Sequence, residues 1–331
     1  MGFPRRIAAA LDGFVLGIFG VAAVATLLPA TGRASDVLHA VTVAAIALLF
    51  FLYGTRLSPR DALDGLTHWR LHTVVLGCTY LLFPLLGLAM RVLTPTILTD
   101  ELYTGMLYLC LVPSTIQSSI AFTSIARGNI AGAVVSASVS NLLGFVVTPV
   151  LVVLLVTTTG EASVDASAIG DILLQLLVPF LLGQLARRRI AGWVQRHASA
   201  TKLVDRGSIL LVVYAAFSVS RVQGVWSVLS PWRIAAVGAV CSVLLAVVLG
   251  LTELIGRLCR FDRGDRIVVL FCGSKKSLAS GLPIASVLFA GQPIGIIVLP
   301  LLIFHQIQLV VCAVLAARYE RQAIRDAAST S

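Results

Sequence analysis

Two adjacent lysines, Lys275 and Lys276, stand in the stretch FCGSKKSLASGLP (residues 271–283), inside a segment otherwise apolar enough to cross a bilayer. A charged side chain near a bilayer centre costs roughly 2.5–3.5 kcal/mol on insertion scales, so both ammonium groups must face protein, water or a bound solute rather than lipid. Ser274 and Ser277 flank them, and Gly273, Gly281 and Pro283 weaken the helix around them. A second stretch, VPSTIQSS (residues 112–119), has the same character. Pro113 removes a backbone donor, and Ser114, Thr115, Gln117, Ser118 and Ser119 follow it with hydroxyls and an amide. Unwound backbone survives at membrane depth only where it is buried in protein or lines a cavity. The chemistry these groups suit is holding a small solute or ion, and two interrupted spans in corresponding halves point to a transport site made from discontinuous helices.

Other polar residues join this set. His305, beside Gln306 and Gln308, lies midway along an apolar run, where it can carry a proton or bridge helices through a hydrogen bond. Asn141 follows Ser136, Ser138 and Ser140 in another span; the serines read as close helix packing and Asn141 as part of the site. The expected binding residues are therefore Ser114, Thr115, Gln117, Ser118, Ser119, Asn141, Ser274, Lys275, Lys276, Ser277 and His305. No bond-breaking chemistry is expected. GSKKS lacks the Gly-Lys-Ser/Thr order of a phosphate-binding loop, and no Ser-x-x-Lys ends at either lysine. The six cysteines fall mostly within apolar runs with no CxxC, and read as small core residues rather than as disulfides or metal ligands. No cofactor is expected.

The elements that must position these residues follow from composition. At 58 % hydrophobic and 12 % charged, with a mean hydropathy of +0.97, the chain lies far from the quarter of charged residues usual in soluble domains and reads as an all-α polytopic membrane protein. A span needs about 20 mostly apolar residues. Ten such segments can be drawn: 13–30, 37–54, 71–93, 102–126, 129–157, 170–186, 207–223, 232–256, 267–290 and 294–317. The longest connection, 187–206, is basic and is expected on the membrane surface. The net charge of +10 needs no nucleic-acid partner, because the basic residues sit in particular loops. Under ten spans, 19 Lys and Arg fall on one side and four (Arg33, Arg91, Arg221, Arg233) on the other. That asymmetry supports the span count and puts both termini in the cytoplasm of a cell (inner) membrane protein. Glu253 is expected to pair with Arg257 at i+4.

The halves repeat, giving one membrane domain over residues 1–331 with repeat one at 13–157 and repeat two at 170–317. The turns Gly128-Asn129 and Gly291-Gln292 are 163 residues apart. Five spans is an odd number, so the second repeat must enter the membrane from the opposite side.

VPSTIQSSIAFTSIARGNIAGAVVSASVSNLLGFVVTP (residues 112–149) together with FCGSKKSLASGLP resembles the bile acid:sodium symporter family (solute carrier family 10), in its branch similar to member 7. The resemblance implies ten helices in two inverted five-helix repeats. Spans one, two, six and seven form a panel domain and the other six a core domain. Spans four and nine are broken and cross near the midplane, and alternating access comes from one domain moving against the other. The bile acid branch binds sodium through a glutamate and a glutamine at the second break. Aligned on Gly273, this chain has Phe271 and Lys275 there, and Ala133 and Ala137 where span five supplies hydroxyl ligands. The acidic sodium site is therefore expected to be missing, although Ser118 or Ser119 retains the span-four serine and Na+ stays open as a coupling ion; the alternative is Lys275 standing where the cation sat and transport sodium-independent or proton-linked. The function expected is secondary active transport of a small organic anion through a site between spans four, five, nine and ten. The anion follows from two lysines facing a cavity with no carboxylate in either break. The rival is a non-transporting membrane regulator or scaffold that keeps the fold. Besides the bilayer and the solute, no partner or oligomeric state can be read.

Overall fold

With no water at membrane depth, the backbone polar groups of long apolar runs are satisfied by internal helical bonding. The computed structural model describes residues 13–56, 68–156, 168–222, 224 and 230–329. They form helices α1 (Gly13–Leu27), α2 (Arg33–Arg56), α3 (Trp69–Leu93), α4 (Asp100–Leu111), α5 (Ile116–Ile125) and α6 (Ile130–Val156). The second half continues with α7 (Ala168–Arg196), α8 (Ala198–Val222), α9 (Pro231–Leu258), α10 (Arg263–Gly273), α11 (Leu278–Leu288) and α12 (Ile294–Ser329). No strand occurs among the described residues. Arg5, Arg6 and Arg60 of the charge count lie outside them.

Among the described residues, seven stretches are long and apolar enough to cross a membrane, α10 and α11 together being one of them. An eighth results if α4 and α5, bent by 60° at their break, count as a single span. This is a multi-span membrane protein, as its composition predicts. One boundary differs from expectation. The basic segment 187–206 is helical rather than an open connection: α7 runs on to Arg196 and α8 begins at Ala198. Arginine and lysine are good helix formers, so a helix need not stop where its apolar stripe does.

The helices pack in two groups. In the first, α2 lies along α7, and α8 packs on α1 and α2. The α2–α7 approach is close enough that a Cβ on Gly54 would stand 2.1 Å from the Phe180 carbonyl oxygen, and one on Gly183 2.1 Å from that of Phe51. In the second group α12 packs on α4 and α9, and α10 is surrounded by α3, α5, α6 and α9. The groups meet where α8 touches α11 and α12, and where α7 touches α6. The α10–α11 stretch is enclosed: 94 % of its most apolar window is buried, against 33 % for α3 and for α9. Residues such as Leu81, Leu85, Val243 and Leu258 are exposed on α3 and α9, as lipid-facing side chains are. The expected Glu253–Arg257 pair forms, at 2.9 Å.

Candidate functional site at the crossing of two broken helices

Both breaks form where the sequence weakens the helix. α4 stops at Leu111 ahead of Pro113, and residues 112–115 are non-helical before α5 starts. α10 stops at Gly273, and residues 274–277 are non-helical before α11. Each break leaves carbonyls without helical donors, and each is met by donors of the other. The Ser277 N–H donates to the Pro113 carbonyl at 2.8 Å. Thr115 Oγ donates to the Lys276 carbonyl at 2.8 Å, and Ser114 Oγ to that of Cys272 at 2.6 Å. Ser119 Oγ donates to the Phe271 carbonyl at 3.2 Å. Ser274 bonds back within α10, to the Leu270 carbonyl at 2.5 Å, while Ser277 caps α11 by accepting from the Ser280 N–H at 3.2 Å.

Two unbroken helices fasten the crossing. From α6, Asn141 Nδ2 donates to the Ser114 carbonyl (3.3 Å) and to Ser280 Oγ (3.0 Å), so one amide ties the first break to the first turn of α11. From α12, Gln308 pairs amide to amide with the peptide of Lys276, accepting from its N–H at 3.0 Å and donating to its carbonyl at 2.9 Å. His305 Nδ1 lies 2.8 Å from Gln308 Nε2 and acts beside this pair. Tyr108 reaches from α4 to the Gly281 carbonyl at 2.6 Å. Tyr108→Phe is expected to lower stability by about 1 kcal/mol, the usual net worth of such a bond; a thermal midpoint unchanged from wild type would show that the bond contributes nothing.

The two lysines have opposite surroundings, although both are fully buried. Lys276 Nζ donates to three main-chain carbonyls: Thr79 (3.0 Å), Cys110 (2.8 Å) and Val112 (2.8 Å), with the Phe83 ring 4.0 Å away. Cys110 and Val112 are at the C-terminal end of α4, which carries partial negative charge. The Thr79 carbonyl is available for a local reason. A π-helical turn spans Cys78–Leu82, so the Phe83 N–H bonds to Cys78, and the next residue, Pro84, has no N–H to offer. Lys275 Nζ, by contrast, has no hydrogen-bond partner among the described residues and sits 3.7 Å from the centre of the Phe122 ring. Lys275, expected to stand where a cation sat, meets a ring here, and the oxygens gather on its neighbour Lys276. Successive residues in non-helical backbone point to different sides, so adjacent lysines reach different elements.

A cavity of about 340 Å³ lies between the two helix groups. Of the expected residues Thr115, Gln117, Asn141 and Ser277 line it. Ser114, Ser118, Ser119, Ser274, Lys275, Lys276 and His305 do not. The two lysines therefore do not face this cavity, and the charge along its wall comes from elsewhere. Arg56 of α2 and Lys202, Asp205 and Arg206 of α8 line it, with Asp205 ion-paired to Arg56. Phe14, Tyr53, Phe145 and Phe180 supply apolar walls, with Tyr53, Phe145 and Phe50 in mutual ring contact and Phe180 against Phe145. Lys202 and Arg206 were legible only as topology signals, because nothing in a sequence says that α8 folds against the breaks. Thr79 had one usable sign, Pro84 five residues later. Among the described residues no three His, Cys, Asp or Glu side chains gather to hold a metal.

A family model described as "SBF-like CPA transporter family (DUF4137)" matches residues 12–321. The chain is 52 % identical to an uncharacterized protein of Pseudomonas aeruginosa, over 97 % of this chain and 96 % of that one. It is 47 % identical to YfeH of Escherichia coli (strain K12), provisionally named a symporter, over 94 % of each. Sodium/bile acid cotransporter 7 of Mus musculus is 28 % identical over 92 % of this chain and 91 % of its own length.

Proposed function

This chain belongs to the SBF-like CPA transporter family, a transporter of the bile acid:sodium symporter type and not an enzyme, and on that premise we propose that it carries a small amphipathic organic anion by alternating access, without a bound sodium ion. The observation that carries this reading is the cavity wall. Three cationic side chains, Arg56, Lys202 and Arg206, stand against one carboxylate, Asp205, which Arg56 already pairs. Deeper in, Thr115 is the N-cap of α5 but makes no side-chain cap bond there, its hydroxyl being turned to the Lys276 carbonyl. The first-turn N–H groups of α5 therefore keep their positive polarity at the cavity, which favours an anionic group. The aromatic walls suit an apolar body, and a bile acid, named in the vertebrate relatives, combines the two.

The transport cycle in this reading moves the group α1, α2, α7 and α8 against the group holding the breaks, and the cavity opens between them. The matching order of elements supports ten spans in two inverted repeats. Residues 112–115 and 274–277 break the fourth and ninth spans at equivalent places, each followed by a short helix and a long one. The basic ends of α2 and α8 then face the cytoplasm of the inner membrane, together with both termini. Proton coupling is assigned to Lys275, because no acceptor holds its protons, whereas three carbonyls hold those of Lys276. Cys272 of α10 and Cys312 and His305 of α12 are the titratable groups near Lys275.

The test is uptake of carboxylate and sulfonate solutes into proteoliposomes, with sodium or potassium as the only cation and with or without a pH gradient. Uptake is expected in both salts, driven by the pH gradient, and Arg206→Gln should raise KM about tenfold, the loss of one ~1.4 kcal/mol charge contact. Strict dependence on sodium would refute sodium-free coupling, and an equal effect of Arg206→Gln on a neutral solute would refute the anion.

A further inference from the structure

We infer that the Lys276 ammonium group is a resident cation, tethered in an oxygen cage that would itself take a small monovalent cation, and that it ties the helices of the crossing together. The inference rests on the contacts of Lys276 alone and not on the transport reading. An ammonium group has three donors and no acceptor. Here all three are used, at 2.8–3.0 Å, on carbonyls of Thr79, Cys110 and Val112. No carboxylate takes part. The cage is neutral in formal charge but negative in potential, since it comprises the C-terminal end of α4, a carbonyl released by the π turn of α3, and the face of the Phe83 ring. Such a set of carbonyl oxygens is what a hard monovalent cation takes as ligands, and here the protein supplies the cation on a four-carbon stem.

The stem is held at its root as firmly as at its tip. Gln308 fixes both the N–H and the carbonyl of Lys276, and Thr115 adds a second donor to that carbonyl. The residue therefore joins five elements: α3 and α4 through its ammonium, α5 and α12 through its peptide, and the α10–α11 break in which it sits. An ion free to leave would let these part; a tethered one keeps the crossing closed. Lys275, on the other side of the break, is left free of this duty.

The experiment uses the purified full-length protein in detergent and reads thermal unfolding in lithium, sodium, potassium, choline and n-propylammonium chlorides at equal ionic strength. Wild type is expected to unfold at one temperature in all five. Lys276→Ala removes the ammonium and most of the stem while leaving the carbonyls, and n-propylammonium should raise its midpoint by several degrees, saturably, with choline inert because it is too large. Lys276→Met fills the stem's space and should gain nothing from any cation. Equal response of the Ala and Met variants, or a folded Ala variant indifferent to every cation, would overturn the proposal. If Lys276→Ala does not fold, wild type decides: it contains only Lys202, Lys275 and Lys276. Lysine labelled with ¹⁵N at Nζ, assigned with Lys275→Met, should then show the Lys276 nitrogen as an ammonium at pH 6 in sodium and potassium alike. A neutral amine there, or a signal that moves between the two salts, would exclude a resident cation.

Discussion

Lys276→Met is expected to undo the helix crossing, while Lys275→Met leaves the protein about as stable as before. Methionine nearly matches the length of lysine and offers no donor. At position 276 it strands the carbonyls of Thr79, Cys110 and Val112, all in the buried interior. Each buried acceptor left unsatisfied costs about 1–3 kcal/mol, so the total, roughly 3–9 kcal/mol, is comparable with the whole stability of a typical domain, about 5–15 kcal/mol. At position 275 the substitution removes a buried nitrogen with no hydrogen-bond partner among the described residues and gives up a ring contact with Phe122 worth about 2 kcal/mol when desolvated. The two effects oppose each other. Thermal midpoints of the purified variants decide the matter, and equal losses at both positions would contradict the assignment of different roles. Lys275→Met should also flatten the pH dependence of uptake while the protein stays folded.

Gly183→Ala is expected to abolish recovery of monodisperse protein, with Gly54→Ala close behind. The added methyl group would stand 2.1 Å from the Phe51 carbonyl oxygen, and its counterpart 2.1 Å from that of Phe180. These are backbone atoms of the facing helix, so no side chain can rotate away and α2 and α7 must separate. Close backbone approach is how small residues drive association in a membrane, where lipid tails compete with any apolar side chain. The separation would also carry Arg56 and Phe180 away from the cavity they line. Gly207→Ala in α8 is the control. Nothing lies within 4 Å of its Cβ position, and alanine should be neutral or better by up to about 1 kcal/mol. A normal size-exclusion profile for Gly183→Ala would show that the two helices are not in close contact.

Membrane class, helical content, family and the position of both breaks were determined by the sequence alone. Each rests on a local property: apolar run length, the missing N–H of Pro113, glycine and serine around two lysines, and hydroxyl-rich stretches specific enough to identify relatives. The i, i+4 pair of Glu253 and Arg257 was legible for the same reason. Partners at long sequence separation were not. Lys275 and Lys276 are neighbours of one type in one apolar segment, and only the packing of α3, α4 and α5 around the break gives one of them three carbonyls and the other an aromatic ring. The helical course of residues 187–196 escaped the apolar pattern because charge hides a helix that hydrophobicity does not mark. The wall of Arg56, Lys202 and Arg206 escaped it because a basic residue at a helix end looks the same whether it faces water, headgroups or a cavity. What a side chain meets is set by which helices pack against one another, and that was decided by the tertiary structure.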